Sequence, residues 1–202
     1  LSASVLQLDI VLPAFRPHVP NSHRVLYDHS NEKRTTGTLV PVVPRPVWTA
    51  QALALDAGLV NNSFSLAMGE KSGERFQVNA VLEIIPRKGS VLHFPTLYRQ
   101  IILPLITSCN VAVVGADRWN SVDILQSIDE DTKGEVMVMQ RTMNSKHLEA
   151  CLASFMSQTV DLPALEMPPD FIQSVRNYKT ELLNNPVSHL LLQLLTIREY
   201  QG

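Results

Sequence analysis

Two aspartates stand where an acid needs a reason. Asp56 ends the apolar run Gln51–Leu55 within QALALDAGLVNNSFSLAMG, and Asp117 follows the apolar run Val111–Gly115 by one small residue. A carboxylate in a buried strand is costly unless an opposite charge answers it. A metal cation is one such partner. Each acid also has an ordinary reading. Asp56 precedes a small-residue turn (Ala57, Gly58, Asn61, Asn62) and could cap that turn through its side chain. Asp117 opens Asp-Arg-Trp-Asn-Ser, which reads as N-cap chemistry for the helix that follows.

Other side chains offer weaker signals. Glu83 lies in a strand-like run, with Leu82 and Ile84 facing the opposite way. It points either to solvent or into the site, and solvent is the expectation, because acids are rarely buried. His93 reads as a surface or lightly packed histidine. His189, flanked by leucines on a helix, reads as a satisfied, partly buried one. No His and Cys stand at zinc-ligand spacing. Cys109 and Cys151 both sit in apolar surroundings and are expected as buried free thiols of a reducing compartment. The basic residues Arg75, Arg87, Lys88, Arg99, Arg118, Arg141 and Lys146 are scattered. Several fall in loops flanking the acids, where they could hold phosphates; a solvated surface accounts for most of them.

The rest of the chain must position these groups. It has 202 residues, 45% hydrophobic and 18% charged, which fits one folded domain, or a domain with an appendage, rather than disorder. A net charge of −2 gives no global basic field, so nucleic-acid binding would rest on local clusters. No apolar run reaches transmembrane length, and the N-terminus lacks the basic region and cleavage site of a signal peptide. The start on Leu1 suggests a piece of a longer protein. Val5–Leu12 reads as a strand closed by Pro13, Pro17 and Pro20, and a polar, basic stretch then leads to a connector stiffened by prolines 41, 44 and 46. The expected division is therefore an N-terminal strand and extended arm, 1–46, and a core domain, 47–202.

In the core, Ala50–Leu55, Ser63–Met68 and Phe76–Ile85 read as three strands joined by short turns, an antiparallel meander. The period then changes to a helical stripe over Thr96–Thr107, which Pro104 should kink or end early. Val111–Gly115 reads as a buried parallel strand, Trp119–Ile128 as a helix, Glu135–Met139 as a fifth strand and Lys146–Met156 as a helix. Two further helical stretches, Phe171–Leu183 and Val187–Tyr200, follow. A meander feeding β-α-β crossovers requires a mixed five-stranded α/β sheet flanked by helices, with right-handed crossovers. That order of elements is the one found in the RNase H-like fold.

In such a sheet the first core strand is central and the fourth is its parallel neighbour, on the side away from the meander. Parallel neighbours bring their C-terminal ends together, where ligands sit in open sheets. Asp56 and Asp117 would then converge. Two carboxylates alone repel, and a hard divalent ion explains them best, since Mg²⁺ is held by one or two carboxylates plus waters and substrate phosphate. A pair of such ions, about 4 Å apart, activates water and stabilises the leaving oxygen in phosphodiester cleavage.

The run ALDAGLVNNSFSLAMGE resembles the nuclease-domain segment of tailed-phage large terminase subunits, where a strand-borne aspartate leads through a turn to a small-apolar-Met/Leu-Gly stretch. ADRWNSVDILQSI resembles their segment after the fourth strand, and VLEIIPRKGSVLHFPTLYRQIILPLI fits the third strand and first helix between. The resemblance covers about Gln51 to Ile128. It implies a metal-dependent endonuclease, using Mg²⁺ or Mn²⁺, that cuts double-stranded concatemeric viral DNA during packaging inside the infected host cell. The rest of the parent terminase chain, and a portal or small subunit, would be partners. Asp56 and Asp117 match the family's first two acids. The third falls in the C-terminal part, where Glu199 is the candidate; Asp170, Glu181 or a residue past Gly202 are alternatives. Arg87, Lys88, Arg118 and Lys146 are the DNA-contact candidates. No GxxxxGK-S/T loop occurs, so the packaging ATPase is not expected here. A non-catalytic interaction domain on the same fold, or a resolvase- or transposase-type nuclease, remain the competing readings.

Overall fold

The computed structural model describes residues 6–28, 30, 33–43, 49–57, 63–117, 121–142 and 144–197. Its centre is the strand β3 (Gln51–Ala57). β3 pairs antiparallel with β4 (Phe64–Ser72), and β4 pairs antiparallel with β5 (Arg75–Ile84), which is the expected meander. The strands run longer than their apolar cores suggest. Ser72 pairs with Arg75, so the hairpin turn is two residues, and Gly73 takes it at a φ of +60°. Gly69, just past the expected strand end at Met68, lies inside β4 at a register shift. A Cβ there would stand 2.4 Å from the Gln77 carbonyl oxygen, so the close approach requires glycine.

On its other edge β3 pairs parallel with β7 (Val111–Ala116), and β7 pairs parallel with β8 (Met137–Gln140). A sixth strand, β9 (Val160–Asp161), adds parallel to β5, so the sheet order is β8-β7-β3-β4-β5-β9. Two residues are too short for any hydrophobic period to announce a strand. The five expected strands are present, and β3 lies between a parallel and an antiparallel neighbour.

The connections follow from burial. The segment expected as one helix is helical from Phe94 to Ser108, as α2 (Phe94–Leu97), a wide turn over Tyr98–Ile102, and α3 (Leu103–Ser108). The wide turn directly precedes Pro104. Proline lacks an N–H and crowds the carbonyl one turn back, and one widened turn relieves both. Leu97, Ile101, Ile102 and Leu105 pack on one sheet face with Leu53, Phe64, Leu66, Leu82 and Val114. α4 (Val122–Asp131) adds Ile124 and Ile128 to the same core. Ser121, the last residue of the run read as cap chemistry, is the N-cap of α4, and its hydroxyl donates to the Asp117 carbonyl.

The N-terminal segment departs from expectation. Leu8–Val11 forms a short helix, α1, followed by a tight turn over Leu12–Ala14, where a strand had been expected. Val11, Ala14 and Phe15 are buried at i, i+3, i+4, a spacing that a strand cannot bury on one side. They join a second core with Leu162, Ile172, Val187 and Leu191. Then β1 (His23–Asp28) and β2 (Arg34–Pro41) form an antiparallel pair, extended by β6 (Val91–Leu92) parallel to β2. Asp161 ties the segment down. It accepts from Arg75 at 2.6 and 2.9 Å and pairs with Arg16, and these guanidinium contacts hold its carboxyl down to about 2.

α5 (Ser145–Met156) starts on a capping box from Asn144 and His147. Cys151 on this helix is exposed, against expectation; α5 buries Phe155 and packs Leu152 partly against the second core, while the turn that carries Cys151 stays open. Cys109 is buried, and both thiols are free. The stretch expected as one helix over 171–183 is two short ones, α6 (Pro169–Ser174) and α7 (Tyr178–Glu181), because Asn177 and the Glu181 side chain restart the chain between them. α8 (Pro186–Thr196) closes the described chain and packs on β5.

Candidate functional site at the open sheet face

Alternation along β3 sends Leu53 and Leu55 into the first core and Ala52, Ala54 and Asp56 to the opposite face. On β7, Val114 and Ala116 are buried in that core, so Gly115 and then Asp117 face the other way. Among the described residues, helix α8 covers this opposite face over β5 and leaves it open over β3 and β7. The result is a cavity of about 510 Å³, floored by Ala54, Asp56, Ser65, Ala67, Gly115 and Asp117. Pro186, His189, Leu190 and Gln193 of α8 form one wall, and Met139 and Arg141 stand on the other side.

Register places the acids side by side. Leu55 pairs with Ala116 across the parallel ladder, so Asp56 and Asp117 are the next residues on neighbouring strands. Parallel strands lie about 5 Å apart, which sets the backbone separation. Asp56 also pairs with Ser65, and Ser65 pairs with Glu83. One rung across the sheet therefore reads Asp117, Asp56, Ser65, Glu83. Asp56 is exposed and, among the described residues, its carboxylate has no hydrogen-bond or ion-pair partner.

Glu83 was expected on a solvated face. It is buried instead: its side chain and that of His189 are each 7% exposed, and Oε2 lies 2.5 Å from His189 Nδ1. α8 lying on β5 removes the water that an acid at this position would otherwise meet. His189 stacks flat on Tyr178, with ring centroids 4.2 Å apart and planes 9° apart. His93 is part-buried and bonds Thr96 at the start of α2.

The remaining candidates fall elsewhere. Glu199 and Arg118 lie outside the described residues. Asp170 and Glu181 are exposed and do not line the cavity; Glu181 accepts from the Asn177 backbone N–H at 2.9 Å. Arg87, Lys88 and Lys146 do not line it either. Among the described residues, no group of three or more His, Cys, Asp and Glu stands close enough to hold a metal ion. Arg141 does line the cavity, with its backbone N–H on the Ala116 carbonyl at 2.9 Å. Its signal was its place at the end of β8, since β8 is parallel to β7 and ends at the same rim.

A mixed sheet of antiparallel meander and parallel strands, flanked by helices, with acids at its central strand ends, is the RNase H-like class of α/β fold. The solved structures carry the comparison further. The chain is similar to the large terminase of bacteriophage HK97, with a TM-score of 0.53 at 9% identity, over 80% of this chain and 34% of that one. It is also similar to the large terminase of a thermophilic bacteriophage (TM-score 0.48, 13% identity, 71% of this chain and 34% of that one). The human cytomegalovirus terminase nuclease domain matches at a TM-score of 0.47 and 12% identity, over 76% of each chain. The chain thus spans about a third of the length of the phage terminases it matches. No family model and no curated protein sequence matches it. The chain shares its fold with a part of the HK97 large terminase.

Proposed function

We propose that this chain is the nuclease domain of a viral large terminase, a divalent-metal-dependent endonuclease that cuts double-stranded DNA during genome packaging. The observation that supports it is the placement of Asp56 and Asp117. Two oxygen-donor side chains stand at adjacent parallel strand ends, on one open face, in a cavity walled by a helix. Side-by-side carboxylates fit a hard divalent ion such as Mg²⁺ or Mn²⁺. The ion, when bound, supplies an activated water and charge stabilisation at the phosphodiester.

The chain's own residues divide the remaining work. Asp56 and Asp117 hold the ion. The floor of Ala54, Ala67 and Gly115 carries no bulky side chain, so a sugar-phosphate strand can approach the acids closely. Arg141 stands at the rim, where its guanidinium meets phosphate oxygens. The parent terminase chain, the DNA duplex and a portal or small subunit are the partners of this reading, and the interior of the infected cell is its place. Among the described residues no helix is long and apolar enough to cross a membrane.

Nicking of supercoiled plasmid with Mn²⁺ tests the reading. The wild-type chain converts it to open and linear forms, and Asp56→Asn and Asp117→Asn each lose at least about a hundredfold in rate, the scale of losing a metal's charge stabilisation of several kcal/mol. Cleavage at the wild-type rate by both variants would sink the assignment.

A further inference from the structure

We propose that His189, braced by Glu83, is a phosphate-contact site at the far end of the acid-lined cavity, holding the DNA strand beside the bond to be cut. The inference rests on the nuclease reading above. It starts from an imbalance. Glu83 Oε2 meets His189 Nδ1, but Oε1 is buried and has no hydrogen-bond partner among the described residues. Nearly the whole charge of a buried carboxylate is therefore answered by one imidazole. A buried acid with one partner is costly to keep for stability alone, and well-packed apolar residues would serve a purely structural role as well.

The imidazole is held on several sides. Its Nδ1 edge is fixed by Glu83, and one ring face lies on Tyr178. The turn of α8 that carries it is anchored by Glu166, which accepts from the Val187 and Ser188 backbone N–H groups at 3.2 and 2.8 Å. An imidazole whose Nδ1–H goes to a carboxylate has a set orientation, and its other nitrogen is the working edge. Here that edge, Nε2, lies 3.5 Å from the Gln193 side chain, and both residues line the cavity of Asp56 and Asp117. That edge faces the cavity with the Glu83 carboxylate behind the ring, and an imidazole N–H donor backed by a carboxylate suits a phosphate oxygen.

The position suits a neighbouring phosphate rather than the reacting one. Glu83 is two strands from Asp56 along the rung, on the order of 10 Å. That is too far to share ions with the acid pair, and it is about three nucleotide rises along one strand.

The test reads phosphate contacts directly. A short fluorescent duplex is titrated with the chain, without divalent ion, across a range of salt. Removing one phosphate contact lowers the slope of log affinity against log salt by about 0.9. His189→Gln is expected to lower the slope by that amount and the low-salt affinity about tenfold. Glu83→Gln, which loosens the ring, is expected to weaken binding severalfold. Wild-type slope and affinity in His189→Gln, with plasmid nicking by the wild-type chain intact, overturn this inference alone. A wild-type chain that neither binds nor cuts DNA overturns the nuclease reading, and this one with it. Should His189→Gln fail to fold, the Nε2 resonance of His189 in ¹⁵N-histidine-labelled wild-type protein decides. It shifts when the duplex is added, and a fixed resonance overturns the inference.

Discussion

If Asp56 and Asp117 are neighbours, each destabilises the other when no cation is present. Replacing either by Asn keeps the shape and removes the repulsion. With the carboxylates about 6 Å apart, little more than a strand spacing, Coulomb's law gives roughly 0.7 kcal/mol in water and about 3 kcal/mol at an effective dielectric of 20. Asp56 is exposed and Asp117 half-buried, which places the cost near the lower end, about 1 kcal/mol. In a chain of this length that corresponds to a rise of about 2–4 °C in Tm. Each single variant should gain it, and the double variant should gain no more, because the repulsion is lost once. The coupling in a double-mutant cycle is then about 1 kcal/mol, and it should shrink as salt is raised. Thermal denaturation in EDTA at low ionic strength measures it. Mn²⁺ reverses the sign. The ion stabilises the wild-type chain, by about 2.7 kcal/mol at a hundred times its Kd, and that gain is lost in either variant. Additive single effects, or an undiminished Mn²⁺ gain in Asp56→Asn, would refute the reasoning, whatever the chain does to DNA.

Two further predictions concern the frame around the site. Asp161 has its carboxyl held down to about 2 by Arg75 and Arg16, against about 3.9 in an unfolded chain. Its folded value is the lower one, so its contribution is complete above about pH 4 and fades as pH falls toward 2. Asp161→Asn should therefore lower Tm at neutral pH, with the difference from wild type narrowing through that window; a difference that stays constant down to pH 2 counts against the clamp. At Gly69, a Cβ would stand 2.4 Å from the Gln77 carbonyl oxygen, a backbone atom that cannot swing away. Gly69→Ala should cost about 1–3 kcal/mol, the usual penalty of overpacking, and lower Tm by several degrees. A melt identical to wild type would show that the bulge has room.

The sheet was legible because its signals are local. Alternating apolar residues mark β4 and β5, a continuous apolar run marks β7, and the switch from period 2 to period 3.6 marks the helix beginning near Phe94. The adjacency of Asp56 and Asp117 followed from topology, since right-handed crossovers leave few ways to seat β7 beside β3. The failures have local causes too. Residues 8–14 lack the length to show a period, and their helical path is imposed by the core that Leu162, Ile172 and Val187 build from the opposite end of the chain. Cys151 sits among apolar neighbours in sequence and one turn before the buried Phe155, yet its own turn of the helix is left exposed.

Glu83 is the deeper case. A glutamate alternating with Leu82 and Ile84 has the pattern of a half-exposed strand, and nothing within several residues contradicts it. What buries it is α8, which meets it from 106 positions away. A buried acid and the histidine that answers it must be chosen together, because either alone is a liability. Such a pair leaves no periodicity and no spacing motif, so it is invisible until the two elements are placed in contact. The acid pair is different in kind. Asp56 and Asp117 each end a strand, and the end of a strand is readable. On the proposed reading, the residues assigned to the ion are legible in the sequence and those assigned to the substrate are not.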